Sequence, residues 1–238
     1  MIAIIDYGAG NLTSVERAVQ RLGYASKITS DLRDIIAADI VIFPGVGAAG
    51  AAMKNLRELG LVDVIREDIF DAGKPMLGIC IGIQIIFEYS EEDHTTCLGL
   101  LPGCVRRFTG PEIDGKLKVP QIGWNQVCQV RPHAVFDGVR DGAEFYFVNS
   151  YYPVPGDPSM IIAETEYGCR FASAVARDNL VATQFHLEKS GPVGLKMLSN
   201  FLAHAGRACV RKVGQITPDD LPNSLPGVQK AWHSGAKG

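Results

Sequence analysis

No Cys-x-x-Cys pair occurs among the six cysteines, Cys80, Cys97, Cys104, Cys128, Cys169 and Cys209, so the short spacings that zinc centres and redox dithiols need are missing and no metal is expected. A surplus of positive charge is missing too. The 23 Lys and Arg face 26 Asp and Glu, a formal charge of −3, which gives no general attraction for a phosphate backbone and argues against nucleic acid as a partner. The longest run without a polar side chain, Ile40 to Met53, carries Pro44 and three glycines and is too short to span a bilayer. The opening Met-Ile-Ala-Ile-Ile-Asp6 has no basic stretch ahead of its apolar residues, so no signal peptide is read there and a cytoplasmic location is expected. Gly8-Ala9-Gly10 is followed by Thr13 where a third glycine belongs, which argues against a dinucleotide cofactor. What remains is an ordinary globular composition, 47% hydrophobic and 21% charged over 238 residues, long enough to bury a full core without covalent staples.

The first half alternates strand-like and helix-like segments. Strands are predicted at Ile2–Ile5, Tyr24–Ile28, Asp39–Phe43 and Pro75–Ile79. Helices are predicted at Leu12–Leu22, Asp31–Ala37, Ala51–Ala72 and just after Cys80, with Thr13-x-x-Glu16 as a capping box for the first. This order predicts an α/β fold with a mostly parallel central sheet covered by helices on both faces. From Leu98 to Gln184 the texture changes to short strands, at Gly123–Val130, Glu144–Tyr152, Met160–Glu164, Ala172–Ala176 and Leu180–Phe185, with a hairpin turn at Arg177-Asp178-Asn179. That half is expected to be rich in antiparallel strands. A helix at Gly194–Ala205 closes the body; residues 1–205 read as one domain and residues 206–238 as an appended tail of unknown role.

Three segments concentrate the chemistry. Gly78-Ile79-Cys80-Ile81-Gly82 stands where a buried strand hands over to a helix, the place for a turn so tight that its flanking positions must be small and its central side chain is lifted out. A cysteine there faces a helix N-terminus, which favours a thiolate and offers N–H groups to an oxyanion. Taken alone, the pentapeptide is equally compatible with a core strand entering a glycine turn. Among the five histidines, His186 has Glu188 two residues on. Extended backbone would set the two side by side, the carboxylate fixing the imidazole tautomer; a surface ion pair is the plainer alternative. Phe43-Pro44-Gly45-Val46-Gly47 also ends a strand, and its glycines would let the Val46 peptide turn its N–H toward a developing oxyanion beside that of Ile81, or would serve an ordinary βα loop.

Taken together, Pro44-Gly45-Val46-Gly47, the Cys80 elbow with Gln84, and Gln184-Phe185-His186-Leu187-Glu188-Lys189-Ser190 resemble the class I glutamine amidotransferases. Asp6-Tyr7-Gly8-Ala9-Gly10-Asn11-Leu12, Val119-Pro120-Gln121-Ile122-Gly123-Trp124-Asn125 and Tyr146-Phe147-Val148-Asn149-Ser150-Tyr151-Tyr152 narrow the likeness to the glutaminase subunits of imidazole glycerol phosphate synthases, which serve histidine biosynthesis. The resemblance runs from Met1 to about Ala205. It implies that Cys80 attacks the glutamine amide, that His186 moves the proton and that Glu188 orients His186. It implies further that the Val46 and Ile81 N–H groups form the oxyanion hole, with Gly47, Gln84, Ser150 and Tyr151 holding glutamine. No cofactor is implied.

The chain has no room for a synthase half, and ammonia must stay out of bulk water. The resemblance accordingly implies a heterodimer with a separate (β/α)8-barrel cyclase subunit, faced by Asn11, Gln121, Trp124 and Lys189, whose nucleotide substrate reorients the Val46 peptide. Leu187 stands where proline is usual in the family, freeing a torsion and implying a looser His186–Glu188 pair. Asn149 and Gln121 stand where histidine is usual or common, and Ile81 and Ile83 replace leucine and methionine. Asn149 and Gln121 keep open a paralogue feeding another synthase, such as one amidating a surface sugar; a catalytically silent regulatory module with the same fold is a further alternative, against which the intact Cys80, His186 and Glu188 count.

Overall fold

A computed structural model describes residues 1–209 apart from 111, 112 and 114. Four short strands, β1 (Ile2–Ile5), β2 (Ser26–Thr29), β3 (Ile40–Gly45) and β4 (Met76–Cys80), pair in parallel, and three of them are buried along their whole length. The helices between them are α1 (Leu12–Arg21), α2 (Leu32–Ala37) and α3 (Ala49–Glu58). The long helix expected over Ala51–Ala72 is broken: Gly60 takes φ +67°, α4 (Leu61–Asp63) restarts, and Val64–Asp71 is wound as a π-helix. Hydrophobic periodicity survives such a break, because both pieces bury Leu56, Leu61, Ile65 and Ile69 against the same face of the sheet.

Helix α5 (Ile81–Ile85) follows β4 directly. Then comes a feature that the sequence pattern did not show. Strands β5 (Tyr89–Ser90), β6 (Thr95–Thr96) and β7 (Gly103–Arg107) join a later strand in a separate four-stranded sheet. The antiparallel half continues with β8 (Gln121–Gln129), β9 (Ala143–Asn149), β10 (Tyr151–Pro155), β11 (Ile161–Glu166), β12 (Arg170–Arg177) and β13 (Leu180–Thr183). The single strand expected over Glu144–Tyr152 is two: β9 ends the large sheet, whereas β10 crosses to pair with β7. The Asp178-Asn179 turn holds as expected, with Arg177 opposite Leu180.

The large sheet has nine strands in the order β2-β1-β3-β4-β13-β12-β11-β8-β9. From β2 to β13 every pairing is parallel; from β13 outward every pairing is antiparallel. Two apolar clusters lie on its faces, one including α1 and the last helix, α6 (Gly191–Cys209), the other α3 and the broken helix. The α/β architecture is thus the one expected. Helix α6 runs past the expected boundary at Ala205, and the rest of the expected tail, residues 210–238, lies outside the described residues. Among the described residues no helix is long and apolar enough to cross a membrane.

The Thr13–Glu16 capping box is not what starts α1. Asn11 is the cap residue, with φ +72° and no side-chain bond to the helix backbone. Its amide is engaged elsewhere, in the cluster described next.

Candidate active site

Cys80 sits at the end of β4, in the middle of the sheet, with φ +57° and ψ −104°. That conformation is costly for a residue with a Cβ, and the neighbours show what enforces it. A side chain on Gly82 would strike the Phe43 carbonyl oxygen of β3, and one on Gly78 would come within 3.0 Å of the Ala182 Cβ on β13. The strand and the short helix therefore meet at the closest approach that glycine allows, and Cys80 is held at the apex between them.

His186 and Glu188 come together by a different route from the one the spacing suggests. The strand ends at Thr183, and Glu188 lies in a 3-10 turn, Leu187–Lys189. His186 is tied down by its backbone N–H to the Tyr146 carbonyl on β9 (2.9 Å) and by its carbonyl, which accepts from Ser190 Oγ (2.6 Å). In turn Ser190 Oγ accepts from Tyr146 N–H at 2.9 Å. His186 Nδ1 then meets Glu188 Oε1 at 2.7 Å, both side chains 2% exposed or less. The torsion freed by Leu187 has not opened the pair, because Leu187 is itself buried and anchors the turn.

Glu188 Oε1 also accepts from Asn11 Nδ2 at 2.6 Å. Asn11, whose expected place is a partner surface, thus also donates to the carboxylate that holds the imidazole. His186 Nε2 is buried and makes no hydrogen bond of full geometry. Burial works against a charged ring, yet the Cys80 sulfur and Glu188 outweigh it and raise the His186 pKa to about 9. The stability of the fold should register this. The imidazole's contribution is complete below about pH 6.5, where the unfolded ring is protonated as well, and is lost as pH rises through about 9, where the folded ring lets go. Thermal melts of the wild type and His186→Asn from pH 6 to 10 are expected to converge at the alkaline end; curves that stay parallel would show that no such proton is held.

Cys80 and His186 share one cavity of about 250 Å³ with Val46, Gly47, Ile81, Gln84, Glu92, Pro120, Val148, Asn149, Ser150, Tyr151 and Lys189. All the residues expected to bind glutamine or an oxyanion therefore line the same space. Gln84 is buried and gives its amide N–H groups to the Tyr151 carbonyl (3.2 Å) and to Gln184 Oε1 (3.1 Å). Asn149 is buried and also donates to the Tyr151 carbonyl, at 3.0 Å. Gly47 has φ +111°, and Val46, 39% exposed, stands at the mouth. Trp124 (54% exposed) and Ile122 (64%) lie on the outside, Trp124 packing edge-on to Tyr146, and Lys189 is an exposed part of the cavity lining. Gln121 is buried, its Oε1 without a hydrogen-bond partner among the described residues.

Sequence reasoning did not single out Glu92. It stood in Glu91-Glu92-Asp93, which reads as a solvated charge run, but its carboxylate accepts from Ala49 N–H (2.7 Å) at the start of α3 and its pKa is raised by burial. Tyr7, from the Asp6–Leu12 segment, was also missed as a site neighbour. Its ring packs on Phe43 and its buried hydroxyl, raised in pKa by desolvation and then by Cys80, leaves no space for a side chain on Gly45. Chemically, the arrangement offers a sulfur on a strained turn, an imidazole whose tautomer a carboxylate fixes, and a pocket sized for an amino acid with an anion, Glu92, and a cation, Lys189, on its wall.

The family model described as class-I glutamine amidotransferase matches residues 3–205. Over 206 residues the chain is 50% identical to the imidazole glycerol phosphate synthase subunit HisH of Dehalococcoides mccartyi, covering 86% of this chain and 98% of that one. It is 50% identical over 211 residues to the HisH subunit of Moorella thermoacetica, covering 87% and 98%. A crystal structure of a glutamine amidotransferase covers 87% of this chain and 100% of its own with a TM-score of 0.65, at 19% identity, a likeness of fold.

Proposed function

This chain belongs to the class I glutamine amidotransferases, and from that membership we propose that it hydrolyses glutamine through Cys80, His186 and Glu188. The ammonia passes to the cyclase subunit of an imidazole glycerol phosphate synthase. The observation that carries the reading is the shared cavity: a strained cysteine and a carboxylate-bound imidazole open onto one space, beside glutamine-type binding groups, in a chain half identical to HisH subunits.

The proposed steps use this geometry. The Cys80 sulfur attacks the side-chain carbonyl carbon of glutamine, and the oxygen takes up negative charge facing the N–H groups of Val46 and Ile81. His186 holds the proton taken from the thiol and gives it to the departing nitrogen as the C–N bond breaks, so ammonia leaves neutral and a γ-glutamyl thioester remains. Water then attacks the thioester, giving glutamate and restoring the thiol. Glu188, with Asn11 behind it, keeps Nδ1 protonated and Nε2 turned to the sulfur. Glu92 offers a counter-charge to the substrate ammonium, while Gly47, Gln84, Ser150 and Tyr151 seat the rest.

Residues 1–205 form the amidotransferase domain in this reading. The exposed pair Ile122 and Trp124 on β8, with Lys189, is the face offered to the cyclase. The test is a glutaminase assay of the chain alone, with a cyclase subunit, and with cyclase plus its nucleotide substrate. A rise of about 100-fold confined to the last condition is expected, since the partner's ligand then completes the oxyanion hole. Full activity in isolation, or stimulation by a different synthase only, would overturn the pairing.

A further inference from the structure

Outside the residues that line the cavity, a second buried carboxamide approaches the nucleophile. Gln184 is fully buried, and its backbone N–H is held by the Ser173 carbonyl of β12 at 2.8 Å. Its Oε1 accepts from Gln84 Nε2 at 3.1 Å, and its own Nε2 lies 3.9 Å from Cys80 Sγ. The two ends of a carboxamide look alike, so which end faces the sulfur has to be argued from partners. Here the partners decide it. The Tyr151 carbonyl can only accept, so Gln84 turns its NH2 group toward it, and the same NH2 supplies the proton that Gln184 accepts. Gln184 must then present Oε1 to Gln84, which leaves its NH2 facing Cys80. Reversing Gln184 would set one NH2 group against another inside the core, which burial makes costly.

We propose that Gln184 is a further member of the glutaminase machinery, an N–H donor that favours the ionised Cys80 sulfur and is locked in that polarity by Gln84 and the Tyr151 carbonyl. A donor aimed at a charge that develops on sulfur gains strength when the sulfur ionises, and more so in a water-poor site. The inference rests on the reading of Cys80 as nucleophile. It adds to that reading a direction of influence, since Gln84 lines the substrate cavity and Gln184 touches the sulfur.

The test is alkylation of Cys80 by iodoacetamide in the full chain, followed on the Cys80 peptide by mass spectrometry because other cysteines also react. Gln184→Met, similar in volume but without the amide, is expected to slow the reaction about tenfold at pH 7 and to recover the wild-type rate by pH 10. Gln184→Glu keeps an acceptor for Gln84 but places a carboxylate by the sulfur. It should slow alkylation at least as much, with the KM for glutamine in the cyclase complex changing less than kcat. If Gln184→Met does not fold, Gln84→Leu takes its place: with the polarity of Gln184 unlocked, a smaller slowing at pH 7 is expected. Rates equal to wild type at pH 7, or a deficit that persists unchanged at pH 10, would overturn the inference and leave Gln184 a packing residue. The two readings fail separately. A wild-type Cys80 that reacts no faster at pH 7 than exposed Cys128 would count against the nucleophile itself, whereas the difference between variant and wild type speaks to Gln184 alone.

Discussion

Cys80→Ala is expected to abolish glutamine-dependent synthesis by the assembled enzyme, a loss of about 10⁴-fold or more, while ammonium salt still supports the reaction at the wild-type rate. The size of the loss follows from the role. Removing a covalent nucleophile leaves only binding and oxyanion stabilisation, and in comparable hydrolases that costs several powers of ten. The second half of the expectation separates chemistry from architecture. Cys80 is 7% exposed and packs in the apolar cluster of β1, β3 and β4, so the loss of one sulfur atom should leave the sheet and the outer face of β8 intact. Steady-state assays with glutamine and with ammonium, run on the same purified complex, measure both halves. Equal loss of both activities would mean that the thiol holds the fold together and that the nucleophile lies elsewhere.

Gly82→Ala should do the opposite, leaving every reactive atom in place while removing the geometry that aims them. The added methyl would overlap the Phe43 carbonyl oxygen, a backbone atom of the neighbouring strand that no rotamer change can move. Either α5 shifts off the sheet or β3 and β4 separate. Overpacking of this kind costs about 3 kcal/mol, which for a chain of this size lowers the melting temperature by about 6–12 °C. Any folded fraction carries Cys80 displaced from His186, and a shift of about an ångström at a reacting centre is worth about 100-fold in rate. Calorimetry and a glutaminase assay of the complex report the two effects independently. A melting temperature within a degree of the wild type would show that the strand–helix junction yields more easily than its close packing implies.

The parts of the site legible in the sequence were those where chemistry and backbone geometry share a short segment. Gly78, Cys80 and Gly82 announce a tight strand-to-helix turn, and His186 with Glu188 announces an oriented imidazole. The pairing itself was foreseen for a wrong local reason: a 3-10 turn, not an extended strand, brings the two side chains together. What stayed hidden were contacts made across the fold. Asn11 reaches Glu188 over 177 positions, Glu92 enters the pocket from an acidic loop, and Gln184 touches both Gln84 and Cys80. None of these carries a periodic or spacing signal, because a buried polar residue is defined by its partners. The four-stranded sheet was missed for a related reason: strands of two residues, such as β5 and β6, are too short to show alternation. The break at Gly60 was invisible because the apolar stripe continues through it.

Strand β13 is among the last segments of the described chain, yet it lies in the middle of the large sheet, parallel to β4 on one side and antiparallel to β12 on the other. A growing polypeptide therefore holds its thiol-bearing strand with one flank unsatisfied until about residue 183 has been made, and the imidazole arrives only three residues later. Nascent or truncated chains ending before Leu180 should expose two interior strand edges at once, a template for aberrant pairing. By the same token they carry Cys80 without His186 and Glu188, the residues proposed to act with it. Completion of the sheet at β13 and arrival of His186 are separated by only three residues.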